Sequence, residues 1–408
     1  MKSFEIPEFY RSPLITSIKQ KRKQQDKLKK DFEPTHLDFG VIEIFLARHF
    51  GFCYGVENAI EIAFRTVYEN PGKRIFLLSE MIHNPQVNRD LKESGVQFIM
   101  NTVGQMYVDW SELKSDDIVI IPAFGTTIET ENKLKSIGIS PLEYNTTCPF
   151  VQKVWNRSEQ IGRKGYTVII HGKPLHEETR ATFSHSSSNA PSVIVKDIHE
   201  AMALSKYIKG EVPLEEFYTE FKGQYSSDFD ATKHFERIGV VNQTTMLATE
   251  TQEIADFLKN VMTSFYSLTE KNIAERFADT RDTLCYATTD NQSAVKGLLN
   301  VDADIALVVG GYNSSNTSHL VELCEEKLTT YYIENETKIL DKNRISHYNM
   351  HEKQVKITEG YFPENEKPKI LITSGASCPD AVVEKVIEKL LSFYDKENDI
   401  QKIGDSFL

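Results

Sequence analysis

Three cysteines stand in one local setting. Cys53 in HFGFCYGVENAIEIAF, Cys148 in YNTTCPFVQKVW and Cys285 in DTLCYATTDNQSAVKGL each close a polar loop and open a helical pattern. A thiol at a helix start meets unpaired backbone N–H groups and the positive end of the helix dipole, which can lower its pKa from about 8.5 into the range of roughly 3.5 to 7.5. Thiolate is the form that binds metal. Three thiolates suit a 4Fe-4S cluster whose fourth iron is left for substrate, or a zinc ion with one open position. The iron reading is favoured because no tight CxxC pair is present to build a structural zinc site. For a single cysteine the ordinary role is a small buried hydrophobe. Cys324, inside the helical stretch SHLVELCEEK, is assigned to packing, and Cys378 in GASCPD reads as a buried position at a helix start.

A second polar loop follows each of the three cysteines at nearly constant distance. His83 lies 30 residues after Cys53, His176 lies 28 after Cys148 and Asn313 lies 28 after Cys285. A third loop then appears in each segment, as AFGTT (123–127), NQTT (242–245) and TSGAS (373–377). Thr244, Thr245, Ser314, Ser315, Asn316, Ser374 and Ser377 give these loops neutral donors. Helix starts of this kind surround a phosphate with N–H groups and hydroxyls and need no net basic surface. Hydrogen bonds to a charged partner contribute about 1.5 to 3 kcal/mol each, so a handful hold a diphosphate. Singly, each residue is an ordinary helix cap; together they point to an anion site. His83 and His176 add donors. Glu178 is the candidate proton source in a pocket otherwise short of acids, although a carboxylate in a first helical turn also simply favours its helix.

These loops need rigid strands and helices to hold them. From Ile42 onward, short apolar runs alternate with amphipathic helical stretches: 42–47, 75–79, 118–123, 167–172, 192–196, 238–242, 305–311, 330–334 and 369–375. Such alternation predicts an α/β fold with mainly parallel sheets covered on both faces, and in such folds ligands bind beyond the strand C-terminal ends. The spacing of the loops predicts three αβα units, 42–147, 148–284 and 285–394, in a pseudo-threefold arrangement that brings three thiols to one centre. An N-terminal extension (1–41) precedes them and a polar tail (395–408) follows. Residues 209–237, rich in acids and aromatics and lacking strand character, are expected to be a surface insertion within the second unit. The stretch Lys19–Lys30 reads as a solvated, basic, helical segment. Asp380–Phe393 carries an apolar stripe at helical spacing.

Composition bounds the rest. The chain has 408 residues, 40% hydrophobic and 26% charged, enough for several cores. No apolar run reaches the roughly 20 residues that span a bilayer. The first residues lack a secretory layout, so a cytoplasmic location is expected, or the plastid stroma if the source is a photosynthetic eukaryote. Five widely spaced cysteines suggest no disulfide framework. A net charge of -12 argues against a nucleic-acid partner.

With these residues assembled, the sequence resembles the 4-hydroxy-3-methylbut-2-enyl diphosphate reductase family, in its longer cyanobacterial and plastid form. The resemblance runs in order through GFCYGVENAI, EMIHNPQV, TTCPFV, HEET, NQTT, LCYATTDNQ, NSSNTSHL and TSGASCPD. It implies an oxidoreductase of isoprenoid biosynthesis with one central 4Fe-4S cluster on Cys53, Cys148 and Cys285. It also implies an allylic diphosphate substrate held among His83, His176, Thr245, Ser314, Ser315, Asn316 and Ser377. Glu178 corresponds to the acid that delivers protons toward the leaving hydroxyl, with Thr244 ordering the hydroxyl beside it. Two electrons arriving singly from ferredoxin or flavodoxin remove the hydroxyl as water, giving isopentenyl or dimethylallyl diphosphate. One position departs: Phe124 stands where many bacterial members have a histidine, so that donor is absent or replaced by Thr126, Thr127 or a backbone N–H. Two other readings compete. A 4Fe-4S dehydratase of the quinolinate synthase kind needs no external electrons, and a cluster-binding sensor needs no set of anion loops.

Overall fold

The computed structural model describes residues 5–28, 30–278 and 283–407. Lys29 of the basic stretch and Asp282, which opens the DTLCYA motif, lie outside the described residues. The chain divides into two compact units: Met1–Glu61 with Ile82–Asn88 and Tyr286–Leu408, and Ile62–Met81 with Arg89–Cys285. The architecture is α/β with mostly parallel sheets.

The first unit is built on a five-stranded sheet in the order Thr35–Asp38, Glu43–Leu46, Lys369–Ser374, Ile305–Val309, Thr330–Ile333. The first two strands pair antiparallel and the others parallel. Ile305–Val309 is buried at every residue, as its continuous apolar run requires. The strand near Ile42 therefore belongs to the sheet of the last segment. The helices Tyr286–Leu298, Ser315–Glu325 and Asp380–Leu391 each follow a polar loop. An antiparallel hairpin, Arg344–Asn349 with Gln354–Glu359, lies outside the expected strands.

The second unit carries two parallel sheets, Gln97–Phe98, Ile75–Leu77, Ile118–Ile120 and Ser192–Val195, Thr167–His171, Ile238–Asn242, Phe277–Ala278. Gln97–Phe98 and Phe277–Ala278 have two residues each, too few to leave a periodic pattern in the sequence. Among the described residues, no helix is long and apolar enough to cross a membrane.

Two segments expected to be peripheral contribute to the cores. In the N-terminal extension, Ser12 caps the helix Pro13–Gln25 by accepting the Ile15 N–H (2.9 Å), and Leu14, Ile15 and Ile18 are buried. Among its basic residues Lys23 is exposed, whereas Lys19 and Arg22 are partly buried in ion pairs. Residues 35–38 form the edge strand of the five-stranded sheet. The 209–237 insertion is likewise no mere surface loop. The Ile194 N–H donates to the Gln224 carbonyl (2.7 Å) and the Ser226 N–H to the Ser192 carbonyl (2.9 Å), so the insertion covers the open edge of Ser192–Val195. Its aromatics close a core around Phe217, whose ring lies 5.0–5.6 Å from those of Tyr207, Tyr218, Phe221, Tyr225, Phe229 and Phe235. Without strand periodicity, the pattern hid this, because aromatic packing is not periodic in sequence. Removing the fully buried ring in Phe217→Ala is expected to cost about 3–5 kcal/mol, read from the shift in equilibrium denaturant unfolding.

Candidate active site

The three cysteines share a backbone anchor. The N–H of Cys53 donates to the Ala376 carbonyl (3.2 Å), that of Cys148 to Ala123 (2.9 Å) and that of Cys285 to Thr244 (3.4 Å). Each acceptor lies in one of the third polar loops. Each thiol then precedes or caps a helix: Tyr54–Glu69, Pro149–Gly162 and Tyr286–Leu298. The expected lowering of the thiol pKa is not seen at Cys148. Burial pushes it up; the Phe150 and Val151 N–H groups pull it down, and the charge of Glu178 raises it further. Desolvation outweighs the helix start. Cys324 and Cys378 are fully buried, and burial pushes both thiols up to about 12.

Cys148, His176, Glu178, Thr244, Thr245 and Cys285 all fall in the second unit. His176 caps the helix Glu177–Ser187, its Nδ1 accepting the Glu178 N–H at 3.2 Å. The Glu178 carboxylate, 1% exposed, accepts the Thr244 N–H through Oε1 at 2.5 Å. Gln243, which motif reading passed over inside NQTT, ties this group together. Its Oε1 accepts from Thr179 Oγ1 (2.9 Å) and the Lys173 N–H (3.2 Å), while its Nε2 donates to Thr245 Oγ1 (2.7 Å). Glu177, another omission, is buried and accepts from the Ser79 hydroxyl. Phe124 packs edge-on against the His176 ring, centroids 5.6 Å apart. Thr127 is occupied as a helix cap, accepting the Thr130 N–H, and the Thr126 carbonyl lies 3.1 Å from His185 Nε2.

Cys53, His83, Ser314, Ser315, Asn316 and Ser377 fall in the first unit. Ser377 Oγ donates to the His83 carbonyl (3.2 Å), and Asn84 Nδ2 donates to the Ser377 carbonyl (2.8 Å). Ser314 caps the helix Ser315–Glu325 and accepts from both the N–H and the hydroxyl of Thr317. Asn316 Oδ1 accepts the Ala376 N–H at 2.8 Å, which fixes the orientation of the amide. Its Nδ2 is buried and has no partner among the described residues. An unspent donor in such a site awaits an acceptor.

Close packing holds both sets of loops. A Cβ on Gly310 would lie 2.6 Å from Thr317 Oγ1, and one on Gly172 would lie 2.6 Å from Thr179 Oγ1. Each threonine is the third residue after its cap, His176 or Ser314, and is pinned beneath a strand-end glycine. Nothing in the sequence says that these residues face each other.

The profile of the LytB protein family matches residues 44–391. A 4-hydroxy-3-methylbut-2-enyl diphosphate reductase of Crocosphaera subtropica is 39% identical over 382 residues, 93% of this chain and 89% of the relative. One of the same name from a Cyanothece species is 40% identical, covering 86% and 85%. The chain belongs to the LytB family. A solved (E)-4-hydroxy-3-methyl-but-2-enyl diphosphate reductase, described as the terminal enzyme of the non-mevalonate pathway, matches with TM-score 0.50 and 26% identity, covering 86% of this chain and 99% of that one. A Plasmodium falciparum structure with TM-score 0.60 and 20% identity, covering 85% and 87%, shares the fold.

LytB proteins are known for an iron–sulfur cluster. The donor set here suits one: three soft thiols at helix starts, spread through the sequence. Among the described residues no three His, Cys, Asp or Glu side chains gather around a single-ion position.

Thiols with a pKa of about 12 hold only about one part in ten thousand as thiolate at pH 8, against roughly a quarter for an ordinary cysteine. Iodoacetamide at pH 8 is therefore expected to leave Cys324 and Cys378 unmodified in the folded protein and to label both in denaturant, as read by peptide mass spectrometry.

Proposed function

We propose that this chain is a 4-hydroxy-3-methylbut-2-enyl diphosphate reductase, replacing the C4 hydroxyl of its substrate by hydrogen to give isopentenyl and dimethylallyl diphosphate in the cytoplasm. Two electrons and two protons enter and one water leaves. The observation that carries the reading is the buried Glu178 carboxylate, with one oxygen fixed by the Thr244 N–H in the unit that also holds Cys148 and Cys285.

Cys53, Cys148 and Cys285 are the proposed ligands of one 4Fe-4S cluster, with ferredoxin or flavodoxin as its donor. When bound, such a cluster supplies a Lewis acid for the hydroxyl oxygen and a relay for single electrons. The protein supplies the rest. The Thr244 N–H holds Glu178 Oε1, and the Glu178 carboxyl is the group that carries a proton to the leaving hydroxyl. The Thr244 side chain is assigned to orienting that hydroxyl. His83, His176, Thr245, Ser314, Ser315, Asn316 and Ser377 are assigned to the diphosphate. The unspent Nδ2 of Asn316 supports that assignment, since a phosphate oxygen would satisfy it. Phe124 gives no donor. It instead covers one side of the His176 ring, which keeps the imidazole in place and water away from it.

General acid catalysis is typically worth roughly 100- to 10,000-fold. Glu178→Gln keeps an acceptor for the Thr244 N–H but has no proton to give. Its turnover is expected to fall by about that factor while iron content and substrate affinity stay near wild type; an unchanged rate would remove Glu178 from the chemistry. Cys53→Ser, Cys148→Ser and Cys285→Ser are each expected to lose anaerobically measured iron and the brown absorbance, whereas Cys324→Ser and Cys378→Ser keep both. Full iron in any of the first three would sink the ligand assignment.

A further inference from the structure

The N-terminal helix Pro13–Gln25 packs its apolar face into the first unit and leaves a basic face open. Residues 19–30 carry seven Lys and Arg against one acid in a chain of net charge -12. Three of these seven side chains have a partner. Lys19 pairs with Asp380 (2.7 Å), Arg22 with Asp31 (2.6 Å), and Lys21 donates to the Ser406 carbonyl (2.7 Å). Lys23 and Lys27 are exposed and have no acidic partner among the described residues.

These two lysines border a cavity of about 270 Å³ that lies wholly in the first unit and also has Arg48, Cys53 and Tyr286 in its wall. Arg48 is 7% exposed, yet its buried Nε has no hydrogen-bond partner among the described residues. Its Nη2 donates only to the Arg22 carbonyl (3.3 Å). A buried guanidinium with an unused N–H is costly unless something fills the position, and a carboxylate matches it best. Three acids share the wall, Asp26, Glu57 and Asp290. Asp26 is turned aside, accepting the Asp31 N–H at 2.8 Å.

We propose that this cavity is the docking socket of a small acidic one-electron carrier protein, which seats an Asp or Glu side chain against Arg48, Lys23 and Lys27 beside Cys53. The proposal rests on the reductase reading, which requires electrons to arrive one at a time from outside, and adds where they arrive. A chain of this net charge repels an acidic carrier overall, whereas the basic face around Lys23 and Lys27 attracts it. At that face the cavity wall contains a proposed cluster ligand, so the carrier reaches the ligand shell without entering the substrate loops. One electron passes from the reduced carrier at each docking; the carrier leaves oxidised, and two dockings supply one turnover.

The test compares anaerobically purified holoenzyme with its Lys23→Glu/Lys27→Glu variant. Both exposed positions tolerate charge reversal without loss of a core contact. Calorimetric titration with a redox-inert, gallium-substituted plant-type ferredoxin is expected to show a Kd raised at least about 10-fold in the variant. The dependence of log Kd on log salt should also be shallower, and Lys23→Arg/Lys27→Arg should keep wild-type affinity. Turnover driven by reduced methyl viologen should be the same in all three. Equal ferredoxin affinity in wild type and the Glu variant overturns the socket. So does inorganic phosphate binding that vanishes in the variant while ferredoxin binding persists, since the cavity would then serve a small anion. Failure of viologen-driven turnover in the wild type refutes the reductase reading instead, and the binding comparison still judges the socket.

Discussion

A backbone hydrogen bond from a cysteine N–H to the carbonyl of a strand-end loop occurs three times, at Cys53, Cys148 and Cys285, and each bond ties a thiol to one polar loop. Each bond ties the start of a helix to the C-terminal end of a parallel strand. A single such bond contributes only about 0.5–1.5 kcal/mol net, and its value lies in geometry. It fixes where the sulfur sits and which loop is beside it: Ala376 neighbours the backbone bonded by Asn316, and Thr244 holds Glu178. Shifting any of these strands would move a thiol and its anion loop together.

Buried polar side chains complete the construction. Gln243 satisfies three groups at once, the Thr179 hydroxyl, the Lys173 N–H and the Thr245 hydroxyl, and so holds the loop of His176 and the loop of Thr244 in one arrangement. Thr317 and Thr179 lie too close to strand-end glycines for any side chain to intervene. The buried Nδ2 of Asn316, like the Ser374 hydroxyl, has no partner among the described residues, and leaving such a group unsatisfied costs on the order of 1–3 kcal/mol.

Much of this was legible in the residue pattern. All nine apolar runs contain strands, because parallel strands covered on both faces by helices or other packed chain must be nearly continuously apolar. His83, His176, Glu178, Asn316 and Ser377 are candidate residues because motif chemistry and strand-end position coincide in them. What the pattern hid has a common cause. The edge strand Thr35–Asp38 and the hairpin Arg344–Asn349 with Gln354–Glu359 are half exposed and polar, so they lack that run. The Phe217 core draws rings from separate turns and helices, which leaves no repeat to read.

The sequence by itself determined the α/β class, the three recurring thiol settings and the polar loops that follow them, since each of these is written in local spacing. The tertiary structure alone decided that the Ile42 strand joins the sheet of Lys369–Ser374, that Gln243 and two threonines lock the loops, and that Arg48 is buried with an idle Nε. It also sets the direction in which the Cys148 thiol pKa moves. A helix start lowers a thiol pKa by local geometry that the sequence shows, whereas burial raises it through atoms brought from far along the chain, and here burial is the larger effect.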